Sequence, residues 1–302
     1  MSAQGRVLVA GCGLVGRVLA RQLHGAGWQV TALTHAPETA RQLAGEPFRV
    51  IGCDINDRDG LSPLGPFEAV VSCVSSGRGG AEAYRRVYWE GMGTLIETFH
   101  PSRLVFAGST SVYAQKDGSA VTEESPALPD RETGHVLRET EDLVLHYGGH
   151  VVRLAGIYAT GRWVLLERFL RGEAVIGGNG SRIINQIHRD DAAGALALML
   201  GVPGEPPPPR GIYNATDGHP VALIDFYTRL AAHFDRPIPP FGPIDPTRKR
   251  GNTSKRVMID KIRALGWQPR FTDFRDVLLA ERHESRANAE TGIARPPEFR
   301  GK

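Results

Sequence analysis

The chain has no apolar run near the ~20 residues that cross a bilayer, so no membrane-spanning helix is expected. It has only three cysteines, Cys12, Cys53 and Cys73, an odd number at spacings that match neither a zinc site nor a disulfide framework. Each ends or follows a strand-like run, which predicts small buried thiols. His-Glu-x-x-His, Cys-x-x-Cys, Gly-x-Ser-x-Gly and Gly-Lys-Ser/Thr patterns are all missing, and metal-site, hydrolase and P-loop readings fall away with them. The first five residues lack the basic and apolar stretches of a secretory leader, so a cytoplasmic location is the expectation. Excess charge is scarce too: the net value is +3. It is concentrated at 248–256, where five cations stand without an acid, either as a solvated loop or as a holder for an anionic group. The stretch is short and has no interleaved aromatics, which disfavours nucleic acid as a partner.

What is present fits a globular chain. With 302 residues, 41% apolar and 23% charged, it can bury one large core or two unequal lobes. Strand-like runs at 6–10, 29–33, 48–51, 69–74, 103–107 and 150–154 alternate with segments of helical period. Val15, Val18, Leu19 and Leu23 share one helical face, and 139–145 forms a second amphipathic stretch. Such alternation implies right-handed crossovers and a parallel sheet covered on both faces. The predicted fold is α/β: a Rossmann doubly wound parallel sheet with a smaller C-terminal substrate lobe. Helical patterns follow at 163–171, 192–200, 223–234 and 260–265, and a stiff proline-rich loop at 203–210 leads into a strand at 211–215. The expected boundaries are a dinucleotide-binding domain at 1–157 to which 184–216 returns, a substrate lobe at 158–183 and 217–284, and a flexible tail at 285–302.

The strongest signal is Gly11-Cys12-Gly13-Leu14-Val15-Gly16, which follows the strand Val7-Leu8-Val9 and opens a helix. In that context Gly11 permits the tight turn, Gly13 clears the approach of a pyrophosphate, and Gly16 lets helix and strand pack closely. The phosphates would face the helix N-terminus and its unbonded N–H groups, so Gly11, Gly13, Leu14, Val15 and Gly16 are candidate cofactor contacts. NAD-selective sites place an acid at the end of the second strand, whereas this chain has Thr34-His35 there and its first acid at Glu38. Thr34, His35 and Arg41 could meet a 2′-phosphate, which tilts the choice slightly from NAD towards NADP.

Further along, the chain resembles the extended short-chain dehydrogenase/reductases, in particular the atypical NAD(P)-dependent epimerase/dehydratase-like group. The resemblance rests on ordered segments between Arg6 and Leu279: Gly52-Cys53-Asp54-Ile55, then Ser109-Thr110-Ser111-Val112-Tyr113, Ile187-His188-Arg189-Asp190-Asp191, Ile212-Tyr213-Asn214 and Leu265-Gly266-Trp267-Gln268-Pro269. It implies that Asp54 and Ile55 hold the adenine and that Ser109 hydrogen-bonds the reacting oxygen of the substrate. It also implies a small-molecule substrate such as a nucleotide sugar, and a homodimer.

In one respect the chain departs from that group. With Glu141 aligned on the family's glutamate, Thr133 stands where the catalytic tyrosine belongs and Leu137 where its lysine belongs. A threonine hydroxyl titrates too high to replace a phenol, and leucine carries no charge. Tyr113 is the phenol near the strand exit, and it joins Ser109 as a catalytic candidate. Two functions fit: an epimerase, dehydratase or reductase with an unusual proton donor, or a sensor that binds the dinucleotide without turning it over.

Overall fold

The structure is a computed structural model and describes residues 5–77, 79–244, 253–273 and 275–276. Seven parallel strands form the main sheet: β1 (Arg6–Ala10), β2 (Gln29–Thr34), β3 (Arg49–Gly52), β4 (Ala69–Ser72), β5 (Arg103–Ser109), β6 (His150–Leu154) and β7 (Gly211–Ala215). Their spatial order is β7-β6-β5-β4-β1-β2-β3. The chain runs outward from β1 through β2 to β3, then returns to the other side of β1 with β4. That reversal opens a crevice beyond the carboxyl ends of β1 and β4, where this fold class binds ligands.

Both faces of the sheet are covered, which is why its strands read as apolar runs rather than as alternating patterns. On one face Val7, Val9, Val105 and Val152 pack against Leu19 and Leu23 of helix Gly16–Gly25 and Leu196 and Met199 of helix Arg189–Leu200. On the other, Leu8, Val70, Phe106 and Val151 meet Met92 and Leu95 of helix Gly91–Phe99 and Leu137 and Val144 of helix Glu132–His146. A separate cluster around Tyr158, Trp163, Phe169, Phe226 and Leu230 builds the smaller lobe. Within it the rings of Tyr158 and Trp163 stack at 4.0 Å.

Several boundaries differ from the sequence expectation. β5 continues through Gly108 and Ser109, although neither is a typical strand residue, because both pair with β6. The expected helix at 139–145 starts earlier, at Glu132. A helical stretch over 81–99 was not anticipated, and it contains a π turn at Arg85–Glu90. Of the thiols, Cys12 is buried, while Cys53 and Cys73 are half-buried. Residues 248–252 of the cationic stretch and the tail at 285–302 lie outside the described residues.

Candidate active site

At the end of β1 the three fingerprint glycines meet different demands. Gly11 has φ +96°, and a Cβ there would lie 2.7 Å from the carbonyl of Cys73. A Cβ on Gly16 would overlap the Gly11 carbonyl oxygen. Around Gly13, among the described residues and leaving aside its chain neighbours, no atom lies within 4 Å of where a Cβ would stand. The fold therefore requires glycine at 11 and 16, whereas at 13 it leaves open space that a ligand could fill. The loop is fixed by the N–H groups of Gly11 and Cys12, which both donate to the Leu33 carbonyl at 3.1 and 2.6 Å. Leu14 and Val15 follow at the entry to helix Gly16–Gly25, where the Arg17 and Leu19 N–H groups already donate to the Gly13 and Val15 carbonyls at 3.0 and 2.9 Å, so the N–H groups that a helix start leaves for an anion are those ahead of Arg17. An open, glycine-cleared cradle at a helix N-terminus fits a dinucleotide pyrophosphate.

The register carries the neighbouring candidates to the same edge. Ala10 pairs with Leu33 and Thr34 with Gly52, so the fingerprint, Thr34-His35 and Asp54-Ile55 leave three adjacent strands side by side. Thr34 is buried and donates its hydroxyl proton to the Ala36 carbonyl at 2.9 Å. His35 is exposed, with Nδ1 3.8 Å from Asp54 Oδ2. Asp54 accepts from the Asn56 N–H at 3.0 Å and from Arg86 Nη2 at 2.8 Å. Burial opposes its ionisation, but those bonds and the nearby cations outweigh it and hold the carboxyl below its usual range. Ile55 is buried beside it, and Arg41 pairs with Glu38.

Ser109 closes β5 in extended conformation, and its Oγ accepts from the Ser111 N–H at 3.1 Å, capping the short turn Thr110–Val112. Accepting that bond leaves the hydroxyl proton for another acceptor. Tyr113, four residues on, is 0% exposed. Its hydroxyl accepts from Arg153 Nη1 at 2.8 Å and lies 2.9 Å from both the Thr122 carbonyl and Asn214 Oδ1. Burial raises this phenol, with Arg153 and Asn214 pulling the other way. Arg153 in turn forks onto Glu141 at 3.0 and 2.7 Å, an ion pair enclosed in the core.

Sequence reasoning missed two members of this network. Glu141 entered only as an alignment mark, and Lys255 as one cation among five. Lys255 is 4% exposed; its Nζ donates to the Tyr113 carbonyl at 2.7 Å and to Thr253 Oγ1 at 2.9 Å. Burial draws its ammonium down to about 8. Neither a solvated loop nor an anion holder describes this residue, because it braces the turn after Ser109. On helix Glu132–His146, Leu137 is buried in the core, Thr133 is half-buried, and Arg138 pairs with Glu141 and Asp142. His188 is buried against the Phe271 ring at 4.0 Å, and burial lowers its imidazole to about 4.

The smaller lobe holds a cavity of about 410 Å³ lined by Tyr158, Trp163, Gln186, Asp217, Phe226 and Arg229, among others. Burial pushes the Asp217 carboxyl up to about 7, with further repulsion from Asp191 and Asp273. Between its ordinary value near 4 and that raised value, the folded protein keeps a proton that the unfolded chain has lost. The stability drawn from this group is complete at low pH and drains as pH rises through 7. Asp217→Asn, which still accepts the His219 N–H bond, is expected to be more stable than wild type at about pH 8 and no different at about pH 4. Urea midpoints at both values check this, and an equal difference at the two would refute it.

An open cradle at the strand-order reversal, with a hydroxyl at the exit of β5, defines a dinucleotide-binding α/β protein with an appended lobe. Residues 7–135 match the family model described as the NAD dependent epimerase/dehydratase family. Protein YeeZ of Escherichia coli strain K12 is 30% identical over 287 residues, covering 89% of this chain and 97% of that protein. The chain belongs to the NAD dependent epimerase/dehydratase family. The structure of MoeE5 in complex with UDP-glucose and NAD has the same fold, with a TM-score of 0.71 at 23% identity, over 94% of this chain and 100% of that one. UDP-glucose 4-epimerase with UDP-glucose from Thermotoga maritima gives 0.72 at 18% identity, over 93% and 99%. Among the described residues no helix is long and apolar enough to cross a membrane.

Proposed function

We propose that this protein is an NAD(P)-dependent epimerase, dehydratase or reductase acting on a nucleotide sugar or a related carbonyl or hydroxyl compound. The observation that carries the reading is the space over Gly13, left open between two glycines that the fold itself demands. Bound there, the cofactor supplies a nicotinamide that takes or gives a hydride. Gly11, Gly13, Leu14, Val15 and Gly16 hold the pyrophosphate, Asp54 and Ile55 the adenine end, and Thr34 and His35 the adenosine ribose. With no acid at the end of β2, NADP is slightly favoured over NAD.

Ser109 hydrogen-bonds the reacting oxygen. Tyr113 has three polar neighbours around its hydroxyl, and in this reading it anchors the Ser109 turn. The substrate lies against the lobe formed by 158–183 and 217–284, in a cytoplasmic homodimer. A sensor without turnover is the second reading, and the buried Leu137 at the position of the family's lysine favours it.

Titration of NADH and NADPH followed by nicotinamide fluorescence, then a turnover screen with UDP- and dTDP-linked sugars, tests both. Ser109→Ala is expected to bind cofactor as wild type does and to lose about 10²-fold or more in turnover, the usual effect of removing one donor at a developing oxyanion. Cofactor binding with no turnover of any sugar, unaltered by the substitution, would favour the sensor. No cofactor binding would sink both.

A further inference from the structure

The missing phenol has a candidate on a different helix. Tyr88 lies within the π turn Arg85–Glu90, where the wider i→i+5 repeat shifts side chains relative to a regular helix. Its ring stands 5.0 Å from that of Tyr84 and 6.1 Å from that of Phe106 on β5. Phe106 pairs with Ser72, the last residue of β4, so the chain leaving β4 through Ser75 and Ser76 and the end of β5 at Ser109 lie at the same end of the sheet. Adjacent strands run about 4.8 Å apart, which brings those two strand exits to one mouth of the crevice.

The Tyr88 phenol reaches the same place, beside Ser75 and Ser76. Among the described residues the buried Ser76 hydroxyl has no hydrogen-bond partner, so the polar end of this group has unused capacity. Leu137, aligned with the family's lysine, lies in the apolar cluster against which Tyr84 and Tyr88 pack. The helix that carries this hydrocarbon in place of an ammonium packs against the π turn that carries Tyr88.

The geometry points to Tyr88 as the proton-donating phenol of this site, brought in by the helix that follows β4. This assignment rests on the nicotinamide-dependent reading given above. In the reductive direction the carbonyl carbon of the substrate gains a hydride from reduced nicotinamide, and its oxygen takes the Tyr88 proton as the phenol O–H bond breaks. The phenolate then regains a proton from water, and oxidation runs the same steps backwards. Burial raises the Tyr88 phenol above its ordinary value, with the neighbouring polar groups of Ser75 and Ser76 pulling the other way. A phenol is protonated near neutral pH, so Tyr88 enters the reductive step as a donor.

The test needs no known substrate. The full chain is titrated with base while tyrosinate absorption is followed, with and without saturating NAD+ or NADP+, in wild type, Tyr88→Phe and Tyr84→Phe. A cation placed beside the phenol should bring its ionisation down by about 1–3 pH units. Wild type and Tyr84→Phe are expected to show one phenol displaced by the oxidised cofactor, and Tyr88→Phe to lack it while still enhancing NADH or NADPH fluorescence. A bound cofactor that displaces no phenol, or a displaced phenol that survives in Tyr88→Phe, overturns the assignment and leaves the function standing. Failure of wild type to bind any nicotinamide dinucleotide overturns the function, and the assignment with it.

Discussion

Gly13→Asp is expected to weaken NADH and NADPH binding by at least about a hundredfold, about 2.7 kcal/mol, while unfolding at nearly the same denaturant concentration as wild type. The two halves of that result have separate causes. Among the described residues nothing beyond the chain neighbours lies within 4 Å of the added Cβ, and Gly13 is not among the glycines with positive φ, so the substitution strains neither packing nor backbone. The carboxylate would project into the cleared space at the helix entry and meet the pyrophosphate with like charge in a partly dehydrated crevice. Gly16→Ala should behave oppositely. Its methyl overlaps the Gly11 carbonyl, so helix and strand must move apart, and the loss appears as instability before binding is considered. Fluorescence titration together with urea unfolding separates the two. A Gly13→Asp protein that binds both cofactors normally would remove the cradle from the functional account.

Arg153→Met is expected to cost about 3–5 kcal/mol, the usual penalty for leaving one member of a buried ion pair uncompensated. Arg153 is 1% and Glu141 0% exposed, and the guanidinium also supplies a hydrogen bond to the Tyr113 hydroxyl. Removing it strands a carboxylate with Arg138, at the pair's rim, as its remaining cation. The double variant Arg153→Met/Glu141→Leu should recover much of that loss, because a well-packed apolar pair avoids burying the lone charge. Urea midpoints for the single and double variants measure the recovery. If the double variant is no more stable than Arg153→Met, the cost lies in Tyr113 and the turn it anchors rather than in the stranded charge.

The parallel sheet was legible because strands buried on both faces must be apolar throughout, as in Val7-Leu8-Val9 and Val151-Val152. Helix 81–99 was not, because Gly91 and Gly93 interrupt its amphipathic period. At Gly91 the reason is distant: a Cβ there would overlap the Ile55 side chain, a close approach that only the folded chain reveals. The fingerprint was legible as a motif, but the motif could not say that Gly13 is dispensable to the fold while Gly11 and Gly16 are not. Lys255 shows the same limit. Its acceptor, the Tyr113 carbonyl, lies 142 positions earlier, and no local pattern distinguishes it from its basic neighbours. Tyr88 was hidden for a related reason, since a family motif directs attention to a helix that here carries threonine and leucine.

The late arrival of β7 bears on how the protein can be made and divided. Residues 211–215 complete the sheet by pairing with His150–Leu154, every residue of which is buried, and Asn214 places its side chain on the Tyr113 hydroxyl. A nascent chain that has emerged only as far as residue 210 therefore carries the buried five-residue strand His150–Leu154 with one edge bare, the kind of edge that templates aggregation. The lobe that carries the sheet cannot be excised whole by cutting at residue 157, and during synthesis its sheet stays unfinished until segment 158–183 of the other lobe has also left the ribosome.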